Sequence, residues 1–264
     1  MRPFEELIAE AEAAPIEGWD FSWLDGRATE ERPSWCYSEL VAERAAYATR
    51  MIDLDAGGGE LLAGLPKLPP VLVAAEGYMP NVLVAAGHLS RPSAFVVAAQ
   101  SDTPVLPFRD DAFDLVTSRH PIATCWGEIA RVLEPGGAYL SQQVGPGSVR
   151  ELSEFMLGPL PSSSARDPER ARAAAEAAGL SVDDLRSERL RTEFNDVGAV
   201  VYFLRLVIWI VPGFSVDGFR DRLLALHQQI EHEGPFVAYA TRFLIRATKP
   251  KPDPKPRGLA GSRA

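Results

Sequence analysis

From residue 51 onward, short apolar runs alternate with segments of helical period. The runs are "MIDLD", "PVLVAAE", "SAFVVAA", "AFDLVTS" and "GAYLSQQV". Between them lie "GELLAGL", "MPNVLVAAGHL" and "ATCWGEIARVLEPGG". Runs that are apolar throughout, not at every second position, predict strands buried on both faces. Their alternation with helices predicts a mostly parallel sheet covered on both sides, an α/β fold. Gly136 and Gly137 of "EPGG" are expected to end a helix before the fifth strand.

The flanks read differently. Two helical patterns precede the sheet, at about 4–13 and 35–49, separated by the Trp-rich "IEGWDFSWLDGRATEERPSW". After Gly145 come helices in "SVRELSEFMLGPL" and "DPERARAAAEAAGL", and a strand in "SVDDLRSERLRTEF". There follow the apolar "DVGAVVYFLRLVIWIVPGF", a long helix at about 216–233 and a last strand in "VAYATRFLIRAT". The division expected is a helical cap over 1–50, a main domain over 51–249 with a helical insertion at about 195–235, and a disordered tail over 250–264. The two aromatic-rich segments are expected to meet as a lid. Trp19, Phe21, Trp23, Tyr202, Phe203, Trp209 and Phe214 then line an apolar pocket or simply pack the lid. Because the sheet core begins near Met51, loss of residues 1–34 is expected to cost little stability.

The first run ends in "DLDAGGGE", a glycine turn between strand and helix. Glycine there permits positive φ and close approach of a ligand to the backbone. The phosphate-binding string G-x-x-x-x-G-K-[ST] is absent. The dinucleotide pattern G-x-G-x-x-G fails, because starting at Gly57 its third glycine falls on Leu62. What remains is a nucleoside-binding loop led by an acidic residue, or a turn with no ligand. Glu76 ends the next run, where a carboxylate can take both ribose hydroxyls or merely cap the following helix. Asp102 opens "SDTPVLPFRDDAFDLVTSRH" and can accept from an adenine amine.

Asp53 with Gly57 and Gly59, then Glu76, "LPF…FDLV" and "RVLEPGG" resemble the class I S-adenosylmethionine-dependent methyltransferases, over about residues 53–144. The resemblance implies a Rossmann-like sheet of seven strands with helices on both faces, N-terminal helices and a late helical lid. It implies S-adenosylmethionine across the carboxyl edge, with S-adenosylhomocysteine as product. Gly57 and Gly59 then lie near the amino-acid part and Glu76 at the ribose. Asp102, with Thr103 beside it, lies at the adenine, and Asp53 orders the loop. Asp55 departs from the pattern, standing where a first glycine is usual. Its carboxylate either favours the cationic end of the cofactor or obstructs the loop; retained binding is expected.

Methyl transfer is an in-line displacement, so placement of the nucleophile matters most, and an oxygen nucleophile of high pKa also needs a base. His120, where the fourth strand leaves the sheet, is the candidate base; a structural hydrogen bond is the competing role. The net charge of -9 argues against a large nucleic-acid partner, which needs a basic face. A small-molecule acceptor is therefore expected, with RNA or protein methylation, or a non-methylating relative, as alternatives. No run of about 18 apolar residues suggests a membrane helix. No Cys/His spacing suggests a metal, and Cys36 and Cys125 suit reduced thiols. The opening "MRPFEELIAEAEAAP" lacks a secretory pattern, so a cytoplasmic protein is expected.

Overall fold

The computed structural model describes residues 2–16, 20–102, 105–162 and 164–252. Its strands in chain order are β1 (Ala28–Glu30), β2 (Arg50–Leu54), β3 (Val71–Glu76), β4 (Ala94–Ala98), β5 (Phe113–Arg119), β6 (Leu133–Val144), β7 (Ser181–Phe194) and β8 (Phe236–Thr248). They form one sheet in the order β1-β7-β8-β6-β5-β2-β3-β4. The segment from β6 to β4 is parallel, and β8, β7 and β1 add on antiparallel. All five apolar runs are strands. The strand beyond the seven expected is β1, three residues of the N-terminal segment paired with the end of β7. Its polar "ATE" has no strand pattern; pairing with β7 makes it one.

The helices are α1 (Phe4–Ala13), α2 (Tyr37–Ala45), α3 (Glu60–Ala63), α4 (Met79–His88), α5 (Trp126–Val132), α6 (Arg150–Leu157), α7 (Pro168–Ala177), α8 (Val197–Leu206) and α9 (Arg220–Glu233). Side chains alternate across the sheet with period two. Met51, Leu72, Leu115 and Leu140 face Val41 of α2 and Leu62 of α3. Their neighbours Ile52, Val73, Val116 and Tyr139 face Ile129 of α5 and Ala175 of α7. Burial of both faces explains why these strands are apolar throughout.

Two boundaries differ from expectation. The helix before the fifth strand does not run to "EPGG": α5 stops at Val132 and the chain is extended from Leu133. Gly136, with φ 90°, instead shapes an irregularity inside β6, where the register with β5 jumps between Phe113 and Leu115. A Cβ on Gly137 would sit 2.9 Å from the Glu134 carbonyl oxygen. The late helix begins at Arg220, after a turn, not at 216.

A third core lies beyond the carboxyl end of β6. Val144 pairs with Arg242, while residues 236–241 of β8 pair only with β7, so the two long strands overshoot the edge. On this extension pack α1, α8 and α9. The two aromatic-rich segments do meet: Trp23 stacks on Tyr202 with ring centroids 4.7 Å apart. The Tyr202 hydroxyl donates to the Asp20 carbonyl at 2.9 Å, and Arg205 donates to the carbonyls of Ala11 and Ala14. Leu7, Ile8 and Ala11 of α1 are fully buried, and α1 approaches α8 so closely that a Cβ on Gly198 would be 2.9 Å from the Leu7 carbonyl oxygen. Residues before the sheet therefore belong to a core, against the expectation that 1–34 costs little to remove. Trp23, Tyr202, Phe203 and Phe214 pack this core, while Phe21 and Trp209 remain exposed. Trp19 and residues 253–264, most of the expected tail, lie outside the described residues.

Candidate functional site

β2 lies between β3 and β5, where successive connections leave in opposite directions along the sheet. Open α/β sheets bind ligands at the carboxyl edge at such a point. Four acids lie at or near this edge: Asp53, Asp55, Glu76 and Asp102. Asp53, near the end of β2, is 4% exposed and accepts the Thr117 hydroxyl at 2.5 Å. Burial pushes its carboxyl up to about 6; Thr117 opposes the rise, and the charges of Asp55 and Glu76 add to it. Glu76, 8% exposed at the end of β3, accepts the Gly57 N–H at 2.8 Å on one oxygen and the Tyr78 N–H at 2.7 Å on the other. Each carboxylate oxygen can accept twice, so one acceptor position remains on each. The loop is thus anchored by Glu76, not by Asp53 as expected, because Asp53 is turned inward to Thr117. His88 gives a second anchor, its Nδ1 lying 2.7 Å from the Gly58 carbonyl oxygen.

Asp55 begins the turn with φ 55°, a left-handed conformation that costs glycine nothing and that Asp tolerates better than most residues. Its carboxylate accepts the Ser101 hydroxyl at 2.7 Å and the Ile122 N–H at 3.3 Å. It therefore ties the glycine turn to the segments that follow β4 and β5. Burial raises its pKa, against Ser101 and Ile122 and with the charges of Glu76 and Asp102. The two positive-φ glycines serve different ends. A Cβ on Gly57 would meet nothing within 4 Å, so that backbone faces open space. A Cβ on Gly59 would press Leu89 at 3.2 Å, so Gly59 lets α4 pack closely. Asp102 is exposed and near enough to act on Asp55 and Cys125. Thr103 lies outside the described residues.

His120 stands at the end of β5 with φ 53°, its N–H bound to the Gln142 carbonyl at 2.7 Å. Trp35 Nε1, which can only donate, lies 2.8 Å from Gln142 Oε1. That turns the Gln142 amide nitrogen toward His120 Nε2, 3.0 Å away. His120 Nε2 is then the acceptor and the ring proton sits on Nδ1. Desolvation, followed by the positive charges of Arg242, Arg119 and Arg166, pushes the imidazole down to about 3. The outer surface of His120 is open to solvent, which softens the first effect, and the three guanidinium groups hold the direction. A neutral ring whose basic nitrogen is occupied is a hydrogen-bond donor, and a poor base near neutral pH.

Two cavities flank this edge. One, of about 10 Å³, lies among Leu54, Ser101, Ser118 and Tyr139. The other, a cleft of about 270 Å³, lies between the ends of β5 and β6 and the start of α7. Both are lined by Pro121, Ala123 and Thr124. Residues 121–124 are therefore a partition, with Asp55 holding Ile122 from the acidic side.

Residues 52–141 match the family model described as a methyltransferase domain. Over these residues the chain is similar to methyltransferase domains. The match spans Asp53 to His120 and leaves the third core outside. No curated protein sequence matches the chain. Among solved structures, a candidate methyltransferase from Bacillus halodurans superposes with a TM-score of 0.57 at 16% identity, covering 81% of this chain and 99% of that one. The YcgJ protein of Bacillus subtilis gives 0.57 at 18%, covering 82% and 99%. The [4+2]-cyclase SpnF gives 0.51 at 18%, covering 94% and 93%. These likenesses concern the fold. Among the described residues no helix is long and apolar enough to cross a membrane.

The methyltransferase domain implies S-adenosylmethionine, whose sulfonium and ammonium outweigh its one carboxylate. Three features of the edge fit it: the open side of Gly57, the spare acceptor positions of Glu76, and a cluster of carboxylates suited to a net cation. Asp55 fits by charge, and its bond to the Ile122 N–H ties the acidic side of the partition to the glycine turn.

Proposed function

We propose that the protein is an S-adenosylmethionine-dependent methyltransferase that acts on a small molecule, transferring the methyl group in line to an oxygen, nitrogen or carbon nucleophile. The observation that carries this reading is Glu76. It is a buried strand-end carboxylate, braced by two backbone N–H groups beside a glycine with open space before it. Bound there, the cofactor would supply an electrophilic methyl group on a cationic sulfur. Glu76 holds the ribose hydroxyls, Asp102 with Thr103 meets the adenine, and Gly57 gives backbone to the amino-acid part. Gly59 keeps the loop against α4. Asp53 and Asp55 supply negative charge to the cationic end. His120 is given a different task from the one expected of it. Its Nδ1–H orients the acceptor by donation, and proton removal falls to solvent or to the acceptor's own acidity.

The net charge of -9 supports a small acceptor over RNA. The free thiols of Cys36 and Cys125 support a reducing, cytoplasmic setting. The test is formation of S-adenosylhomocysteine with panels of small molecules, transfer RNA and proteins. Turnover confined to small molecules supports the reading, and turnover confined to RNA or protein replaces it. One observation favours a second reading, a non-methylating relative: Asp55 closes the acidic side of the partition. A fold shared with a [4+2]-cyclase does not by itself choose between the two.

A further inference from the structure

The 270 Å³ cleft has no role assigned so far, and its lining is at odds with the rest of the molecule. The chain carries 36 acidic and 27 basic side chains, and its arginines are widely paired, as in Arg131–Glu128, Arg189–Glu151 and Arg242–Glu30. Arg166 and Arg170, which line the cleft, have no carboxylate within 4.0 Å of their guanidinium nitrogens among the described residues. Arg170 gives one nitrogen to the Ser164 hydroxyl at 2.6 Å. The one acid in the lining, Asp167, spends its Oδ1 on the N–H groups of Glu169 and Arg170, at 2.8 and 3.2 Å, as the cap of α7. Arg166 is also held at φ 63°, a backbone conformation an arginine seldom adopts. Desolvation lowers its pKa, with no acid opposing. The remaining walls are apolar, including Trp126, Phe243 and Val144.

We propose that this cleft binds the methyl acceptor, and that the acceptor bears an anionic head group, carboxylate or phosphate, on a small apolar body. The term acceptor rests on the methyltransferase reading above; the anion site does not. Guanidinium groups match the planar oxygens of a carboxylate or phosphate with paired N–H donors, and apolar walls take the body. The cleft sits where an acceptor is needed. Pro121, Ala123 and Thr124 of its wall also line the small cavity beside Leu54, at the end of β2, and Arg166 is close enough to act on the His120 ring. The edge then divides by charge, with carboxylates on the cofactor side and guanidinium groups on the acceptor side.

The experiment is calorimetric titration of the full-length protein with benzoate, phenyl phosphate and the neutral benzamide, each with and without S-adenosylhomocysteine. At least one anion is expected to bind about tenfold or more tightly than benzamide, the margin of a charge-assisted hydrogen bond. Comparing the two anions distinguishes the carboxylate from the phosphate head. Arg166→Gln, exposed and so expected to fold, should remove that margin while S-adenosylhomocysteine affinity stays unchanged. Equal binding of benzamide and the anions, no binding of any probe at millimolar concentration, or a margin that survives in folded Arg166→Gln overturns the proposal. Anion selectivity without S-adenosylhomocysteine binding defeats the methyltransferase reading and leaves the anion site; the reverse result does the opposite.

Discussion

Glu76 accepts the backbone N–H of Gly57 at 2.8 Å, so the residue proposed to hold the ribose also braces the glycine loop. Glu76→Gln tests both tasks. An amide nitrogen cannot accept, so the variant loses either the Gly57 or the Tyr78 bond and one ribose contact. A hydrogen bond to a charged group is worth about 1.5–3 kcal/mol, so S-adenosylhomocysteine affinity should fall at least about tenfold. Affinity equal to the parent's in a folded variant removes Glu76 from the site.

Asp55→Gly separates the two readings of the turn. The variant relieves a left-handed non-glycine residue, about 1–2 kcal/mol, and gives up the Ser101 and Ile122 bonds, about 1 kcal/mol each. These terms nearly cancel, so the melting temperature should change little. S-adenosylmethionine affinity should stay within about tenfold of the parent's, since one exchanged charge contact shifts a constant by about that factor. A rise from no detectable binding to micromolar binding means that Asp55 disables the natural loop and that the protein is a non-methylating relative.

Asp53 sets a pH dependence. Its folded-state pKa is about 6 against an ordinary 3.8, so the folded protein holds this proton more tightly than the unfolded chain. Stability from this group is complete below about pH 4 and is lost as pH rises to about 6, on the order of 3 kcal/mol across that window. Asp53→Asn keeps an acceptor for Thr117 and removes the charge. It should melt higher than the parent at pH 7.5, with the gap closing toward pH 4, and bind the cationic cofactor more weakly. Parallel stability curves for the two proteins across pH 4–7 contradict this assignment.

The His120 ring should remain neutral, with its proton on Nδ1, from pH 8 to pH 4.5. Nitrogen-15 chemical shifts of the imidazole report tautomer and charge directly. A titration midpoint near 6.5, the ordinary value, would restore a general base and leave the Trp35–Gln142–His120 chain without the effect given to it here.

Leu7 tests the third core. It is 1% exposed between α1 and α8, so Leu7→Ala should cost about 2–5 kcal/mol in denaturant unfolding. A cost below about 1 kcal/mol means that the N-terminal segment is a detachable flank.

The sheet was legible because both of its faces are covered, which leaves runs such as "VLVAAE" apolar at every position. The acids proposed for the cofactor stand at or beyond strand ends that the apolar runs mark: Asp53 near the end of β2, Glu76 at the end of β3, Asp102 after β4. What sequence hides is the partner across the fold. Asp55 meets Ser101 and Ile122 only because β4 and β5 end beside β2, and nothing near residue 55 announces either donor. The tautomer of His120 depends on Trp35 through Gln142, residues 107 positions apart. Arg166 sits in a left-handed turn with no glycine to mark it, so its place in the cleft follows from the start of α7 and not from a motif. The aromatic segments meet at Trp23 and Tyr202, and their packing partner is the overshoot of β7 and β8, a length that alternation alone does not reveal.

The most direct test of the account is calorimetric titration of the full-length protein with S-adenosylmethionine and with S-adenosylhomocysteine. The carboxylate-lined edge around Gly57 and Glu76 predicts one site with micromolar affinity for both, and tighter binding of the cationic S-adenosylmethionine where Asp53 and Asp55 are ionised. No heat of binding for either ligand, from protein shown to be folded, contradicts it.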